Sequence, residues 1–279
     1  MDRSVRVRRG VTVAVALVAG LFPVTPSATE AFMQGPVSVR VYSGGAPRIA
    51  VTQCAAAFEK AMGHKIEFLF DGVSGIRDRL RAGERADVVL LPIQMMEALY
   101  SSLLRPDSRV VLARSPLGVA VRRDAVLPNV SSPETFRAAV LAARSIAYSD
   151  PKLAPSGVHL GRALEQLGVA DAVRPKTILR TPFDGGVELV ARGEAELGVY
   201  LVTEIRMTEG VRLAGLLPPP LQTYVVYAGG VAADSPVSAV ALEFLSFLTT
   251  DDARKSWEAA GFEPTPGHDS SSARVSRDD

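Results

Sequence analysis

Residues 37–42 alternate apolar and polar side chains with the period of two that marks a half-buried strand. Residues 47–62 change to helical spacing; Pro47 is tolerated in the first turn and Gly63 is placed to stop the helix. The alternation continues with a strand at 65–70, a helix at 74–82 ended by Gly83, a strand at 87–91, a helix at 95–104 and a strand at 109–113. Within it, Val88-Val89-Leu90-Leu91 is continuously apolar, as expected for a strand covered on both faces. Arg114-Ser115-Pro116 then predicts a break. A second series follows: strand 117–122, helix 133–142, strand 145–149, helix 157–167, strand 176–179, helix 185–191 and strand 197–201. Pro218-Pro219-Pro220 is a second break, followed by an apolar strand at 223–228 and helices at 237–248 and 251–259.

Strand–helix alternation of this kind predicts an α/β protein with mostly parallel sheets flanked by helices. Two series with helices left over at the end predict two lobes, the first discontinuous. Lobe one takes residues 35–115 plus 226–265 and lobe two takes 116–225, joined by a hinge of two crossing strands. The cleft between such lobes is the natural ligand site. The polar, Ser-rich stretch 266–279 reads as a disordered tail.

Residues 1–31 read as a signal peptide. Arg3, Arg6, Arg8 and Arg9 precede the apolar stretch 11–22, and small residues offer cleavage sites near Ala28 to Ala31. The apolar stretch falls short of the roughly 20 residues a spanning helix needs. The protein is therefore expected in the periplasm. Cutting after Ala28 removes four Arg and one Asp from 31 basic and 30 acidic residues, leaving a net charge of about −2. That balance has no electrostatic footprint for nucleic acid. Cys54 is the single cysteine, so no internal disulfide forms, and its Ala-rich helical setting makes it a small core residue.

Candidate chemistry concentrates in four turns between strand-like and helix-like runs: Ser43-Gly44-Gly45-Ala46, Gly72-Val73-Ser74-Gly75, Ser156-Gly157 and Asp184-Gly185-Gly186. A helix start carries unpaired N–H groups and the positive end of the helix dipole. Several such starts converging on one cleft would bind an anion without a formal positive charge. Ser74 misses the hydrolase elbow, because Ile76 stands where a glycine is needed; it reads as the cap of the following helix. His64, His159 and His268 have no metal-ligand spacing, so no metal site is expected from protein side chains, and no cofactor. Asp87 reads as an acceptor for backbone N–H groups and Asp150, before Pro151, as a turn former. No pair of carboxylates has a visible reason to share a substrate. The chain is expected not to be an enzyme. A sensory or accessory solute-binding domain, and a small hydrolase or lyase on the same architecture, are the alternatives.

Several longer blocks carry a resemblance. They are Ala57-Phe58-Glu59-Lys60 before Gly63, the run from Ser74 to Arg81-Ala82-Gly83-Glu84-Arg85-Ala86-Asp87, Ala147-Tyr148-Ser149-Asp150-Pro151, Ala154-Pro155-Ser156-Gly157, the run from Val187 through Ala191-Arg192-Gly193-Glu194-Ala195-Glu196-Leu197 to Val199, and Thr203-Glu204. Over residues 37–261 the chain resembles the type II periplasmic solute-binding proteins of the molybdate-binding family, the receptors of ABC importers. The resemblance implies the two-lobed type II periplasmic binding fold and a small anionic solute held at the hinge, passed by a monomer to an ABC permease in the inner membrane. It places hydroxyl positions near Ala46, flanked by Gly45 and with Ser43 nearby as a substitute hydroxyl, and on Ser74. It places helix-start N–H groups at Ser156, with Gly157, and near Phe183, with Asp184. It places a tyrosine position on Leu201, with Tyr200 one residue away. Two expected hydroxyls are thus absent, at Ala46 and Leu201. Arg48, in the first turn of the first helix, could meet a carboxylate instead. The expected ligand is a molybdate- or tungstate-like oxyanion or a small carboxylate.

Overall fold

The computed structural model describes residues 35–181 and 184–265. The expected signal peptide and tail, and the Phe183 position, lie outside them.

The first series is β1 (Ser38–Gly44), α1 (Arg48–Met62), β2 (Lys65–Asp71), α2 (Val73–Arg81), β3 (Val88–Pro92) and α3 (Ile93–Tyr100). Next come β4 (Val110–Arg122), α4 (Pro133–Ala142), β5 (Ile146–Tyr148), α5 (Pro155–Gln166), α6 (Ala170–Val173), β6 (Thr177–Leu179) and α7 (Glu188–Ala191). The chain continues with β7 (Leu197–Leu201), α8 (Val202–Met207), β8 (Val211–Leu216), β9 (Tyr224–Val231), α9 (Ser238–Phe247) and α10 (Asp251–Ala259). Gly63 stops α1 in the left-handed conformation, at φ 73°, and its N–H donates to Glu59. That is the terminator the sequence predicts.

The strands run β2-β1-β3-β9-β4-β7-β5-β6, with β8 also paired to β4. β1 lies parallel to β2 and β3, and β5 parallel to β6 and β7. β9 is antiparallel to β3 and β4, and β4 antiparallel to β7 and β8. The result is two lobes with mixed sheets, each parallel trio flanked by antiparallel strands at the centre.

The predicted break at Arg114-Ser115-Pro116 is not a break. β4 runs straight through and changes partner there: Pro116 makes the last pairing with β9, opposite Tyr224, and Leu117 the first with β7, opposite Leu201. A proline is tolerated at such a switch because it has no ladder N–H to lose. The crossing is reinforced by side chains. Gln222 accepts the Leu117 N–H at 3.1 Å and donates to the Leu117 carbonyl at 2.9 Å. The buried hydroxyls of Ser115 and Thr203 lie 3.3 Å apart. Arg114 pairs with Glu263 at 3.1 Å and stacks over Tyr224 at 4.0 Å.

Helices cover both faces of each sheet. In the first sheet, Val88 and Leu90 face a core shared with Phe58 of α1, Phe244 of α9 and Trp257 of α10. Val89 and Leu91 face Ile76 and Leu80 of α2 and Met96 of α3. The continuous apolar run in β3 is therefore used on both faces, as its composition predicts. In the second sheet, Val119 and Val199 face Phe136 of α4 and Leu160 of α5, while Ala120 and Tyr200 face Val190 of α7 and Ile205 of α8. Cys54 is buried in α1, and burial pushes its thiol up to about 11, which keeps it protonated and inert. Among the described residues no helix is long and apolar enough to cross a membrane.

Candidate functional site

Two adjoining chambers open where the loops after β1, β2, β5 and β7 meet. The larger, of about 350 Å³, is lined by Gly45, Arg48 and Ile49, by Val187 and Glu188 at the start of α7, and by Glu204, Met207 and Thr208 on and after α8. The smaller, of about 50 Å³, is lined by Ala46, Gly72, Val73, the segment 153–156, Thr181, Leu201, Val225 and Tyr227. Gly45 and Glu204 border both chambers.

Three helix starts of eight residues or more reach these walls, and none is closed by a side-chain cap: α1 after Pro47, α2 after Gly72 and α5 after Ala154. Their first-turn N–H groups supply the positive ends that an anion site needs. Ser74 is not the cap of α2. It is the second residue of that helix, and its hydroxyl donates to the Leu153 carbonyl at 3.4 Å, so it links α2 to the segment leading into α5.

Of the residues singled out from sequence, Gly45, Ala46, Ser156 and Leu201 line the chambers. Ser43 is buried and donates to the Gly44 carbonyl at 2.9 Å. Asp184 is exposed and accepts the Thr181 hydroxyl at 3.2 Å. Tyr200 and Leu201 point to opposite faces of β7, as the strand period requires. Leu201 meets the cleft, while Tyr200 packs among the α7 and α8 side chains and donates to the Arg180 carbonyl at 3.3 Å. Away from the cleft, Asp87 accepts the Arg40 N–H and the Ser235 hydroxyl, and Asp150 accepts the Lys152 N–H.

Gly157 is set in the first turn of α5 with no room for a side chain. A Cβ there would lie 2.0 Å from the Ser149 carbonyl oxygen and 2.8 Å from Pro151 N. The obstacle is backbone, which cannot swing aside, so the missing side chain is what lets α5 dock its start on the β5 turn. Gly157→Ala is expected to cost about 2–3 kcal/mol, lowering Tm by roughly 5–10 °C in a thermal melt.

Glu204, which the sequence reading matches only as part of a family block, is the site's buried carboxyl. Glu204 is 8 % exposed, and one carboxyl oxygen accepts the Leu201 N–H at 3.1 Å. Burial pushes its carboxyl up to about 8, opposed by that backbone hydrogen bond. Tyr227, across the smaller chamber, is raised well above the usual phenol range by burial and then by the Glu204 charge. Glu188 shares the larger chamber with Glu204 and keeps a buried carboxyl oxygen without a hydrogen-bond partner. Glu188 and Glu204 are a pair of carboxyls on one chamber wall that the sequence reading, which weighed only Asp87, Asp150 and Asp184, does not include. Arg48 borders the same chamber with its guanidinium carbon 4.7 Å from the Phe70 ring centre. Among the described residues no group of three or more metal-ligating side chains is present.

The family described as bacterial extracellular solute-binding protein matches residues 39–263 of this chain. The chain belongs to that family. This solute-binding protein is 33 % identical over 242 residues to an aconitate isomerase of a Pseudomonas species, covering 84 % of this chain and 90 % of that one. It is 24 % identical over 227 residues to the molybdate-binding protein ModA of Escherichia coli K12, covering 80 % and 88 %. Among solved structures, the periplasmic molybdate-binding protein of Azotobacter vinelandii superposes with a TM-score of 0.70 at 20 % identity, covering 81 % of this chain and 99 % of that one. The fold is thus the type II periplasmic binding fold, shared with non-catalytic receptors. Family and fold place the solute-binding protein in the periplasm or outside the cell.

Proposed function

We propose that this protein captures a small organic polycarboxylate in its two-chamber cleft and hands it to the permease of an ABC importer. The observation that carries the reading is the character of the larger chamber. It has room for on the order of ten water-sized groups, more than the four oxygens of a tetrahedral oxyanion fill, and Arg48 stands on its wall. The positions where the molybdate family would supply hydroxyls are the apolar Ala46 and Leu201. A guanidinium matches a carboxylate with two parallel hydrogen bonds, and uncapped helix starts can receive a second carboxylate. The relative named for aconitate, a tricarboxylate, supports the same ligand class. On this reading the leader is removed near Ala28 to Ala31, residues 35–115 with 226–265 and residues 116–225 are the closing lobes, and the working unit is a monomer.

The test is calorimetry and thermal shift with citrate, cis-aconitate and trans-aconitate against molybdate and tungstate. The tricarboxylates are expected to bind and raise Tm, since a ligand specific to the folded state stabilises it. Arg48→Ala is expected to weaken that binding by about ten- to a hundredfold, the range for a hydrogen bond to a charged group. Binding of molybdate or tungstate alone would overturn the carboxylate reading and support the oxyanion one.

A second reading is that the cleft also turns its ligand over. It is favoured by the buried carboxyl at the junction of the chambers, together with the relative named an isomerase. A turnover assay separates it from pure capture.

A further inference from the structure

We propose that Glu204 is a catalytic acid–base that carries one proton between two carbons of a bound unsaturated polycarboxylate, shifting its double bond by one position. The inference rests on the carboxylate reading above and assigns a residue and a route to the turnover reading.

Position carries the argument. Glu204 borders both chambers, with Arg48 on the wall of one and Ser156, in the first turn of α5, on the wall of the other. A ligand gripped by a carboxylate at each end puts its middle carbons beside Glu204. The Leu201 N–H holds one carboxyl oxygen at 3.1 Å and so fixes the group at the junction. The charged and titratable groups near it on neighbouring elements are Arg48 of α1 and Glu188 of α7, which line the larger chamber with it, and Tyr200 of β7 and Tyr227 of β9, both of which feel its charge.

The chemistry closes without a co-reactant. Ionised Glu204 takes the proton from the saturated carbon beside one carboxylate, and that C–H electron pair spreads over the adjacent double bond and its carboxylates. Glu204 then returns the proton to the far carbon, leaving the double bond between the other pair. Atoms and electrons balance, and no oxidant, reductant or water is consumed. A carboxyl raised to about 8 suits this work: near neutral pH both protonation states are populated, and the ionised form is a stronger base than an exposed glutamate.

The experiment uses the full mature chain and follows cis- and trans-aconitate by proton NMR in water and in deuterium oxide. The expected result is interconversion of the two, with kcat/KM rising as the pH passes through about 8. Glu204→Gln, whose amide oxygen can still accept the Leu201 N–H, should bind with Kd changed by no more than about threefold and lose turnover at least about a hundredfold. The unaltered protein supplies a second readout independent of that variant's folding: a shielded carboxyl returns part of the substrate's own proton, so product carries less than one solvent deuterium per turnover. Binding of aconitate with neither conversion nor deuterium wash-in between about pH 6 and 9 would overturn this inference while leaving capture intact. Turnover by Glu204→Gln at the unaltered rate would overturn the residue's role. Failure of both aconitates to bind by calorimetry would overturn this inference, and failure of citrate as well would overturn the carboxylate reading with it.

Discussion

Raising the pH from about 4.5 to about 8 is expected to cost the ligand-free protein several kcal/mol of stability through Glu204. The group's ordinary value is 4.5 and burial raises it to about 8 in the folded chain. Across that window the folded state holds a proton that the unfolded state has released. Stability therefore falls as pH rises, the contribution being complete below the unfolded value and gone above the folded one. One unit of pKa corresponds to about 1.4 kcal/mol, which makes the full effect on the order of 5 kcal/mol. His159 acts in the opposite direction: burial depresses it, so it adds stability above its unfolded value and loses it on acidification. The clean measurement is a difference. Unfolding free energies from urea titrations of the unaltered protein and of Glu204→Gln, taken at matched pH, share every other titration. The gap between them should change by several kcal/mol from low to high pH, the variant gaining relative stability as pH rises. Parallel curves would show that Glu204 ionises near its ordinary value and is solvated.

Phe58→Ala is expected to destabilise the protein by about 4 kcal/mol. The ring is 1 % exposed and meets Phe244 edge-on at 5.2 Å and Phe247 at 5.6 Å. It therefore anchors α1 to α9, and its loss removes both a large apolar area and two aromatic contacts, each worth about 0.5–1.5 kcal/mol beyond burial. For a chain of this size Tm should fall by roughly 10 °C. Because α1 also carries Arg48 at its first turn, ligand affinity should weaken along with stability. A urea titration checks the stability term: the midpoint should move while the slope stays, the mark of a core change without loss of two-state unfolding. A loss of stability below about 1 kcal/mol would mean that the neighbouring helices collapse onto the space.

Most elements of the architecture were legible along the chain. Strand period, helical spacing, Gly63 and the apolar run of β3 all read correctly, because each depends on side chains two to four residues apart. The stretch from Val202 to Leu216 shows no legible element in the sequence. α8 has six residues, too few to display an amphipathic period, and its charged Glu204 and Arg206 resemble an exposed turn. β4 reads as two strands because Pro116 punctuates the sequence, whereas in space it marks only the change from β9 to β7 as partner.

The site divides in the same way. Glycine-rich turns at strand ends announced where an anion could sit, and Arg48 could be flagged from its place in a first helical turn. That Glu204 is buried, that it faces Tyr227, and that Glu188 shares its chamber could not be read locally. Glu204 comes from α8, Glu188 from the start of α7 and Gly45 from the turn after β1, and only the packing of these segments makes them neighbours. Backbone period, turn chemistry and the exported, solute-binding class are written into short stretches of residues. Burial, and with it the proton affinity of the one carboxyl at the junction of the chambers, depends on dielectric and charge contributed by segments remote in the chain, and it exists only once they have packed together.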